Sequence, residues 1–190
     1  ETAHLEKQAA AKQKGSLAAI RRQGRQLLNL VNQMLDLAKV EAGSLHLNLV
    51  QGNLILFLKY LLESFRSLAD SKHIELRFEA GVEAFWMDYD PDKLQKIVSN
   101  LLSNALKFTP QNGQVTLRVK TGDELILQII DTGQGIPPEK LPFIFDRFYQ
   151  ADNSATRQAE GTGIGLTLAQ ELTYLLGGRI VAESRPGEGA

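Results

Sequence analysis

Three polar side chains share the spacing of one helical face and are suited to hold a metal ion and phosphate. Asn100, Asn104 and Lys107 lie four and three positions apart, so a helix brings them together. An asparagine carbonyl is an oxygen ligand of the kind that Mg²⁺ prefers, and the lysine ammonium is a point charge for phosphate. A polar stripe on an amphipathic helix is usually just solvated, so the stripe alone leaves both interpretations open.

Further along the chain, a carboxylate and two glycines form a combination suited to a flat base. Residues 131–136 read Asp-Thr-Gly-Gln-Gly-Ile. Asp131 ends the most apolar predicted strand and can accept a hydrogen bond from the amino group of adenine. Gly133 and Gly135 let the backbone approach the base closely. An ordinary Asx turn at a strand end is the plainer alternative.

A second glycine cluster precedes a predicted helix and is suited to an anion. Residues 161–166 read Gly-Thr-Gly-Ile-Gly-Leu, and free N–H groups at a helix start attract negative charge. A flexible linker has a similar composition. Leu166 stands where the dinucleotide fingerprint requires glycine, and no G-x-x-x-x-G-K-[ST] motif occurs, so a P-loop is excluded.

An arginine within an aromatic segment lies between the two glycine clusters. Residues 142–150 contain four aromatic residues around Arg147. Most of these aromatics would serve in local packing, but the guanidinium can reach a terminal phosphate when the segment closes. Together, the four features suggest one pocket for a nucleotide, its metal and its triphosphate.

Hydrophobic periodicity predicts the elements that must position these residues. A helix over about residues 16–42 has apolar or small residues at alternating steps of three and four, and this wide seam favours a multi-helix bundle with a partner segment. A mixed α/β domain follows, in which Asn53 caps a helix extending to about Leu68 and Asp90 caps one extending to about Phe108. Strands are predicted near residues 45–49, 74–78, 84–87, 115–119, 125–130 and 179–184, and a last helix near 164–176.

The helix that begins after Asp90 has one face that should bury against the sheet. That face comprises Leu94, Ile97, Leu101, Ala105 and Phe108. Near the end of the chain, residues 185–189 are typical of a hairpin turn, and the returning strand is expected to be missing.

Composition excludes several classes of protein. The net charge is −1, so no basic field favours nucleic acid, and the absence of cysteine excludes disulfides and thiolate metal sites. No apolar run approaches the roughly 20 residues that span a bilayer. We therefore expect no membrane contact by this segment, although it can belong to a membrane protein.

Taken in order, these features resemble the N, G1, F and G2 boxes of sensor histidine kinases of two-component systems. The boxes lie at residues 100–109, 131–136, 142–150 and 161–166. Residues 21–43 also resemble the second helix of the dimerisation and histidine-phosphotransfer domain of that family. The aromatic box further resembles that of hybrid, receiver-fused kinases.

The resemblance implies a fold and a domain organisation. The fold would be α/β, an α+β two-layer sandwich of the GHKL (Bergerat) type with a mixed sheet, preceded by a long bundle helix. Residues 1–44 would form part of the dimerisation domain, without the acceptor-histidine helix. Residues 45–190 would form the catalytic ATP-binding domain, with its last strand truncated.

The resemblance also implies a role for each box residue, with ATP and Mg²⁺ as cofactors. Asn104 would bind Mg²⁺, and Asn100 and Lys107 would support the metal and the phosphates. Asp131 would hold the adenine amino group, and Arg147 would lie near the γ-phosphate. The other residues implied at the nucleotide are Phe108, Gly133, Gly135, Ile136, Phe148, Thr162, Gly163, Ile164, Gly165 and Leu166.

One position narrows the expected reaction. Gyrase-type relatives place a glutamate, the general base for water, where this chain has Asn100, which cannot take a proton at neutral pH. Phosphoryl transfer needs mainly positioning and charge neutralisation, so a separate nucleophile can complete it. His4, His46 and His73 lack the family's H-E-x-x-T-P-like setting, so the acceptor histidine is expected upstream of this chain.

The expected function is transfer of the ATP γ-phosphate to a histidine, for relay to a response-regulator aspartate. The expected partners are the protein's own dimerisation and phosphoacceptor domain, a receiver domain and, in a full-length homodimer, a second copy. The expected location is the cytoplasmic side of a bacterial inner-membrane sensor. This fragment alone would bind Mg-ATP without autophosphorylating. An ATP-gated conformational module and a binding-only pseudokinase are the competing hypotheses.

Overall fold

A long helix precedes a smaller α/β body in the computed structural model. The structure describes residues 2–150 and 162–190, with the backbone alone for residues 2–15, 18, 19, 22 and 26. Helix α1 spans Thr2–Glu41, so it begins well before the predicted start near residue 16. The body contains β1 (Val50–Asn53), α2 (Leu54–Glu63), α3 (Arg66–Ser71), β2 (Glu75–Ala80), β3 (Trp86–Tyr89), α4 (Pro91–Phe108), β4 (Gln114–Lys120), β5 (Ile126–Asp131), a 3-10 helix (Leu141–Phe143) and α5 (Gly165–Leu175).

The main sheet is mixed, as predicted. Its strand order is β2-β4-β5, with β2 and β4 parallel and β4 and β5 antiparallel. Leu117 of β4 is fully buried and lies between Phe78 of β2 and Ile129 of β5. Strands β1 and β3 form a separate antiparallel pair. An apolar layer therefore covers one side of the main sheet, where the helices pack.

Two apolar clusters hold the helices in place. The larger cluster packs α2 and α4 against the sheet and includes the fully buried Leu58 and Leu102. The smaller cluster joins Ile97 of α4 to Leu168 of α5, and Val40 of α1 packs against it. Helix α4 is thus buried on two sides, and α1 is attached to the body beside it.

Much of α1 presents apolar side chains to solvent. Its exposed large apolar residues are Leu17, Ile20, Leu27, Leu28, Val31, Met34 and Leu35. This surface coincides with the predicted bundle seam, so the seam stays largely uncovered along this helix. Within residues 2–150 and 162–190, no helix is both long enough and apolar enough to cross a membrane.

Asp90 sets the start of α4 and ties it to the chain that leaves α1. Its buried carboxylate accepts hydrogen bonds from the N–H of Lys93 at 3.1 Å and of Asn48 at 2.7 Å. The Lys93 ammonium lies 2.9 Å from the same carboxylate. Burial alone would raise the pKa of Asp90, but the hydrogen bonds from Asn48 and Lys93 together lower it. The predicted cap is confirmed, with Pro91 at the first helical turn.

Two predicted strands do not form within the described residues. Residues 45–49 are irregular, because Leu45 packs against the smaller cluster and the Asn48 N–H donates to Asp90 rather than to a strand. Residues 179–184 also form no strand. An extended segment becomes a strand only beside a paired neighbour, and an open cleft separates these residues from β5.

Two helix predictions also need correction. The helix capped by Asn53 ends at Glu63, where the Ser64 hydroxyl donates to the Leu61 carbonyl at 2.6 Å, and a second short helix follows. On α4, Val98 and Leu102 are buried, whereas Phe108 is 39% exposed. Phe108 faces the cleft instead of the core, which is where a nucleotide-binding role would need it.

Asp90→Ala should lower the free energy of unfolding by about 2–4 kcal/mol, because it removes a helix cap together with the acceptor of the Asn48 N–H and the buried partner of the Lys93 ammonium. Because the pKa of the Asp90 carboxyl is lowered in the folded protein, its contribution to the free energy of unfolding is present above the ordinary pKa of 3.8. The contribution is lost as the pH falls through the folded-state pKa. Urea denaturation at pH 7 measures the difference.

Asp92→Ala is the matched control, since Asp92 is exposed in the same helical turn. It should change stability by no more than about 0.5 kcal/mol. Equal stability of the two variants would show that Asp90 does not anchor α4.

Candidate nucleotide-binding site

An open cleft of about 1820 Å³ lies between β5, α4 and residues 176–190. It collects most of the residues singled out from the sequence. These are Asn104, Lys107, Phe108, Asp131, Gly135, Ile136, Gly163, Gly165 and Leu166. A smaller hollow of about 500 Å³ around Lys59 and Phe78 contains none of them. Residues separated by up to 62 positions in the chain thus meet in one place.

Asp131 lies at one end of the cleft in a half-buried position. Its Oδ1 accepts a hydrogen bond from the Gly133 N–H at 2.8 Å, and its own N–H donates to the Ala190 carbonyl at 2.9 Å. Burial raises the pKa of the Asp131 carboxyl, although backbone hydrogen bonds, including that from Gly133, act in the opposite direction. The hydrogen bond from Gly133 therefore holds the carboxylate in place, whereas burial disfavours its charged form.

Two glycines permit close backbone contacts at the walls of the cleft. A Cβ at Gly133 would lie 2.6 Å from Asp131 Oδ1 and 2.8 Å from the Phe108 carbonyl oxygen. Gly163 has a φ of +68°, and a Cβ there would lie 2.7 Å from the Phe148 Cα. The Phe148 N–H also donates to the Gly163 carbonyl at 2.9 Å. These contacts join the aromatic box to the second glycine cluster.

Asn104 and Lys107 contribute the polar side of α4 to the cleft. Both are half-buried, and the Lys107 ammonium lies 4.7 Å from the centre of the Phe108 ring. In the part of the chain that the structure describes, no group of three or more His, Cys, Asp or Glu could hold a metal ion. An amide oxygen completed by water and phosphate oxygens suits Mg²⁺, which keeps several waters, so this donor set fits that ion.

Other predicted site residues lie outside the cleft lining. Asn100, Thr162 and Arg147 contact α1 instead, through Gln33 and Glu41. Ile164 is fully buried, Phe148 is exposed with a φ of +61°, and Gly133 packs beneath Asp131. Gly161, the first residue of the second glycine cluster, lies outside the described residues.

Several cleft residues carried no signal in the sequence. The Ser184 hydroxyl accepts from the Ile136 N–H at 2.8 Å and donates to the Gly189 carbonyl at 2.6 Å, which ties the first glycine cluster to the final turn. Gln134 and Arg185 also line the cleft. A serine or glutamine at an irregular position has no periodicity to mark it, so only the folded arrangement identifies these residues.

Gly133→Ala should lower the free energy of unfolding by about 1–3 kcal/mol, because the added methyl group must push against Asp131 and the Phe108 carbonyl. Gly122→Ala is the control, since a Cβ there meets nothing within 4 Å. It should stay within about 0.5 kcal/mol of the parent chain in urea denaturation. Equal effects of the two substitutions would contradict the close packing at Gly133.

The chain is similar to known histidine kinases in both sequence and structure. It is 39% identical over 184 residues to the circadian input-output histidine kinase CikA of Synechococcus elongatus, covering 94% of this chain and 24% of that protein. Over 182 residues it is 35% identical to the hybrid signal transduction histidine kinase D of Dictyostelium discoideum, covering 92% of this chain and 12% of that protein. The chain spans a quarter or less of the length of these relatives.

A solved structure and a family model agree with these similarities. The crystal structure of full-length ShkA in complex with AMPPNP has a TM-score of 0.82 at 29% identity, covering 94% of this chain and 37% of that chain. Residues 89–190, more than half of the chain, match the family described as histidine kinase-, DNA gyrase B- and HSP90-like ATPase. The α/β fold of GHKL type is thereby confirmed, and the chain belongs to this ATPase family.

Proposed function

We propose that this chain is the ATP-binding catalytic part of a sensor histidine kinase, which transfers the γ-phosphate of ATP to a histidine elsewhere in the protein. The observation that carries the proposal is the meeting of Asn104, Lys107 and Asp131 in one cleft, so that groups suited to metal, phosphate and base face a common space. The family match and the AMPPNP complex of ShkA support ATP as the nucleotide.

In this proposal, one end of the cleft binds the adenine base and the other binds the metal ion and the phosphates. Asp131 accepts a hydrogen bond from the adenine amino group, while the backbone at Gly135 and Ile136 lies against the base. Lys107 neutralises phosphate charge, and Asn104 holds Mg²⁺ through its amide oxygen. Bound Mg²⁺ supplies further charge neutralisation at the phosphates. The second glycine cluster, from Thr162 to Leu166, closes over the phosphates.

Asn100 favours a histidine over water as the acceptor of the phosphoryl group. An amide cannot remove a proton from water at neutral pH, so Asn100 holds its neighbours in place without activating a water molecule. An imidazole nitrogen then bonds to the γ-phosphorus as the bond from that phosphorus to the ADP oxygen breaks. The phosphoryl group is thus carried on histidine, from which an aspartate of a receiver domain can take it.

The proposed partners follow from the same reaction. A structure of ThkA in complex with the response regulator TrrA has the same fold, with a TM-score of 0.66 at 19% identity. A receiver domain is therefore the proposed acceptor, whether separate or fused as in the hybrid kinase of Dictyostelium discoideum. The exposed apolar seam of α1 supports pairing with the remaining bundle helices and with a second copy in the full-length protein. The proposed location is the cytoplasmic side of a bacterial inner-membrane sensor.

Asn104→Ala should weaken Mg-ATP binding by at least about tenfold, because it removes a metal ligand. Without Mg²⁺, the variant and the parent chain should bind ATP alike. Ser103→Ala is the control, since Ser103 is exposed on the same helix. Isothermal titration calorimetry with and without Mg²⁺ measures both effects.

Calorimetry together with an assay of phosphate release distinguishes the competing functions. No measurable affinity of the parent chain at millimolar Mg-ATP would support a pseudokinase scaffold and overturn the proposal. Fast release of inorganic phosphate from ATP that Asn100→Ala abolishes would favour an ATP-gated module instead. Slow or absent hydrolysis with clear Mg-ATP binding is the outcome expected of a histidine kinase.

Asp131→Asn should weaken ATP binding about 5- to 150-fold while leaving the protein equally or more stable at pH 7. The side-chain oxygen of the introduced amide can still accept the hydrogen bond from the Gly133 N–H. The amide nitrogen then faces the adenine amino group, and because both are donors no hydrogen bond forms between them. Burial raises the pKa of the Asp131 carboxyl in the folded protein. The protonated carboxyl therefore contributes its full stability below the ordinary pKa of 3.8, and this contribution is lost as the pH rises through the folded-state pKa.

Asp123→Asn, which alters an exposed carboxylate in a turn, is the control for this substitution. It should change neither ATP affinity nor stability measurably. Urea denaturation should show that the stability difference between Asp131→Asn and the parent chain shrinks as the pH approaches 4. Unchanged ATP affinity in Asp131→Asn would remove Asp131 from the adenine site.

A further inference from the structure

The hydroxyl of Thr167 joins the aromatic box to the helix that follows the second glycine cluster. Thr167 lies in the first turn of α5, and its side chain is buried. Its Oγ1 donates a hydrogen bond to the Phe145 carbonyl at 2.8 Å, across 22 positions of the chain. Phe145 lines the cleft, whereas Thr167 lies outside the lining, so the hydroxyl supports the wall of the cleft from inside the protein.

The place of Thr167 in α5 explains why its hydroxyl bonds to another segment. A threonine further along a helix can return its hydroxyl to the carbonyl four residues earlier, as Thr173 does to Ala169 at 2.7 Å. Four residues before Thr167 is Gly163, which precedes the helix and whose carbonyl accepts from the Phe148 N–H at 2.9 Å. The Thr167 hydroxyl therefore forms a second hydrogen bond between the same two segments.

These two hydrogen bonds lie on either side of Arg147. The bond from Thr167 holds the chain at Phe145, and the bond to Gly163 holds it at Phe148. Only two residues lie between the held positions, and Arg147 is one of them. The backbone from which the guanidinium extends is therefore fixed against the start of α5.

Phe148 carries the backbone strain of this arrangement. Its φ of +61° is a left-handed conformation that an aromatic residue keeps only where its surroundings hold it. The side chain is 62% exposed, so packing of the ring contributes little to holding this conformation. The hydrogen bond to Gly163 and the one from Thr167 to Phe145 must maintain it instead.

We propose that Thr167 is a positioning residue for the γ-phosphate of ATP, because its hydroxyl fixes the backbone from which Arg147 reaches that phosphate. The inference rests on the proposed function and, within it, on a place for Arg147 beside the γ-phosphate. The guanidinium pairs with Glu41 in this structure, and Thr167 fixes the backbone rather than the direction of that side chain. Since ADP lacks the γ-phosphate, loss of the hydroxyl weakens the binding of ATP and not that of ADP.

Thr167→Val, which nearly keeps the shape of the side chain and removes the donor, is the first test. It should bind Mg-ATP about three- to tenfold more weakly than the parent chain, as expected for one neutral hydrogen bond, with Mg-ADP and adenosine within twofold. Thr167→Ser restores the hydroxyl and should return Mg-ATP affinity to within twofold of the parent chain. Thr173→Val is the matched control, because the hydroxyl that it removes bonds within α5. Isothermal titration calorimetry measures all three ligands.

The outcomes of these titrations are distinguishable. Unchanged Mg-ATP affinity in Thr167→Val would overturn the inference, and so would an equal loss for Mg-ATP, Mg-ADP and adenosine, which a purely structural role predicts. If the parent chain binds neither Mg-ATP nor Mg-ADP, the proposed function fails as well. A parent chain that binds both, with the same ratio of affinities in Thr167→Val, overturns the inference alone.

Thr167→Cys keeps the inference testable if the valine variant does not fold. A thiol is a weak donor of similar size, so the loss of Mg-ATP affinity should fall between those of the serine and valine variants. Mg-ATP affinity in Thr167→Cys equal to that of the serine variant would contradict a role for the hydrogen bond.

A double-mutant cycle with Phe148→Gly tests whether Thr167 acts through the backbone of the aromatic box. Glycine adopts a positive φ without strain, so the hydroxyl has less to hold in this background. Thr167→Val should then change the ratio of Mg-ATP to Mg-ADP affinity by less than twofold. The same change of that ratio with phenylalanine and with glycine at position 148 would overturn the inference.

Discussion

The arrangement of the whole domain depends on the burial of α4 on two sides. Leu102 is fully buried against the sheet, and Ile97 packs with Leu168 of α5. Each fully buried large apolar side chain contributes roughly 1.5–3 kcal/mol, so turning the helix about its axis would forfeit several times what any polar contact at its rim provides. The remaining side of α4, with Asn104 and Lys107, must therefore face the cleft. The position of these two polar side chains in the cleft is a consequence of apolar packing.

The base end of the cleft illustrates a different constraint. Asp131 keeps a carboxylate where burial raises its pKa, and the Gly133 N–H offsets only part of that cost. A residue chosen for stability would not carry this charge, whereas the proposed recognition of an adenine amino group needs an acceptor there. The absence of a side chain at Gly133 lets the chain after β5 pass close to the last turn of α4.

Helix α1 is attached to the domain by two kinds of contact. It packs through Leu37 and Val40, while Gln33 contacts Asn100 and Glu41 contacts Arg147. Exposed ion pairs and single amide hydrogen bonds contribute little each, so such a contact can be made and broken without disturbing the core. The strong apolar contacts keep α1 attached to the domain, whereas the weak polar ones can change at little cost in stability.

Helix capping and hydrophobic periodicity explain why part of this structure could be predicted from the sequence. The caps at Asn53 and Asp90 and the shared face of Asn100, Asn104 and Lys107 all depend on residues close together in the chain. The predicted strand at 45–49 was wrong because alternation alone does not reveal that Asn48 pairs with a distant carboxylate. Phe108 was assigned to the buried face because periodicity does not show where a sheet ends and a cleft begins.

The sequence by itself determined which residues can do chemistry and, through their order, the family of fold. Tertiary structure alone decided which of them share the cleft, since that depends on contacts between α4, β5 and the chain around Ser184 and Gly189. It also decided that Asn100 and Thr162 meet Gln33 of α1 and that Arg147 meets Glu41 of the same helix. The physical reason is that periodicity and capping act over a few residues, whereas a site is built from groups that only packing brings together.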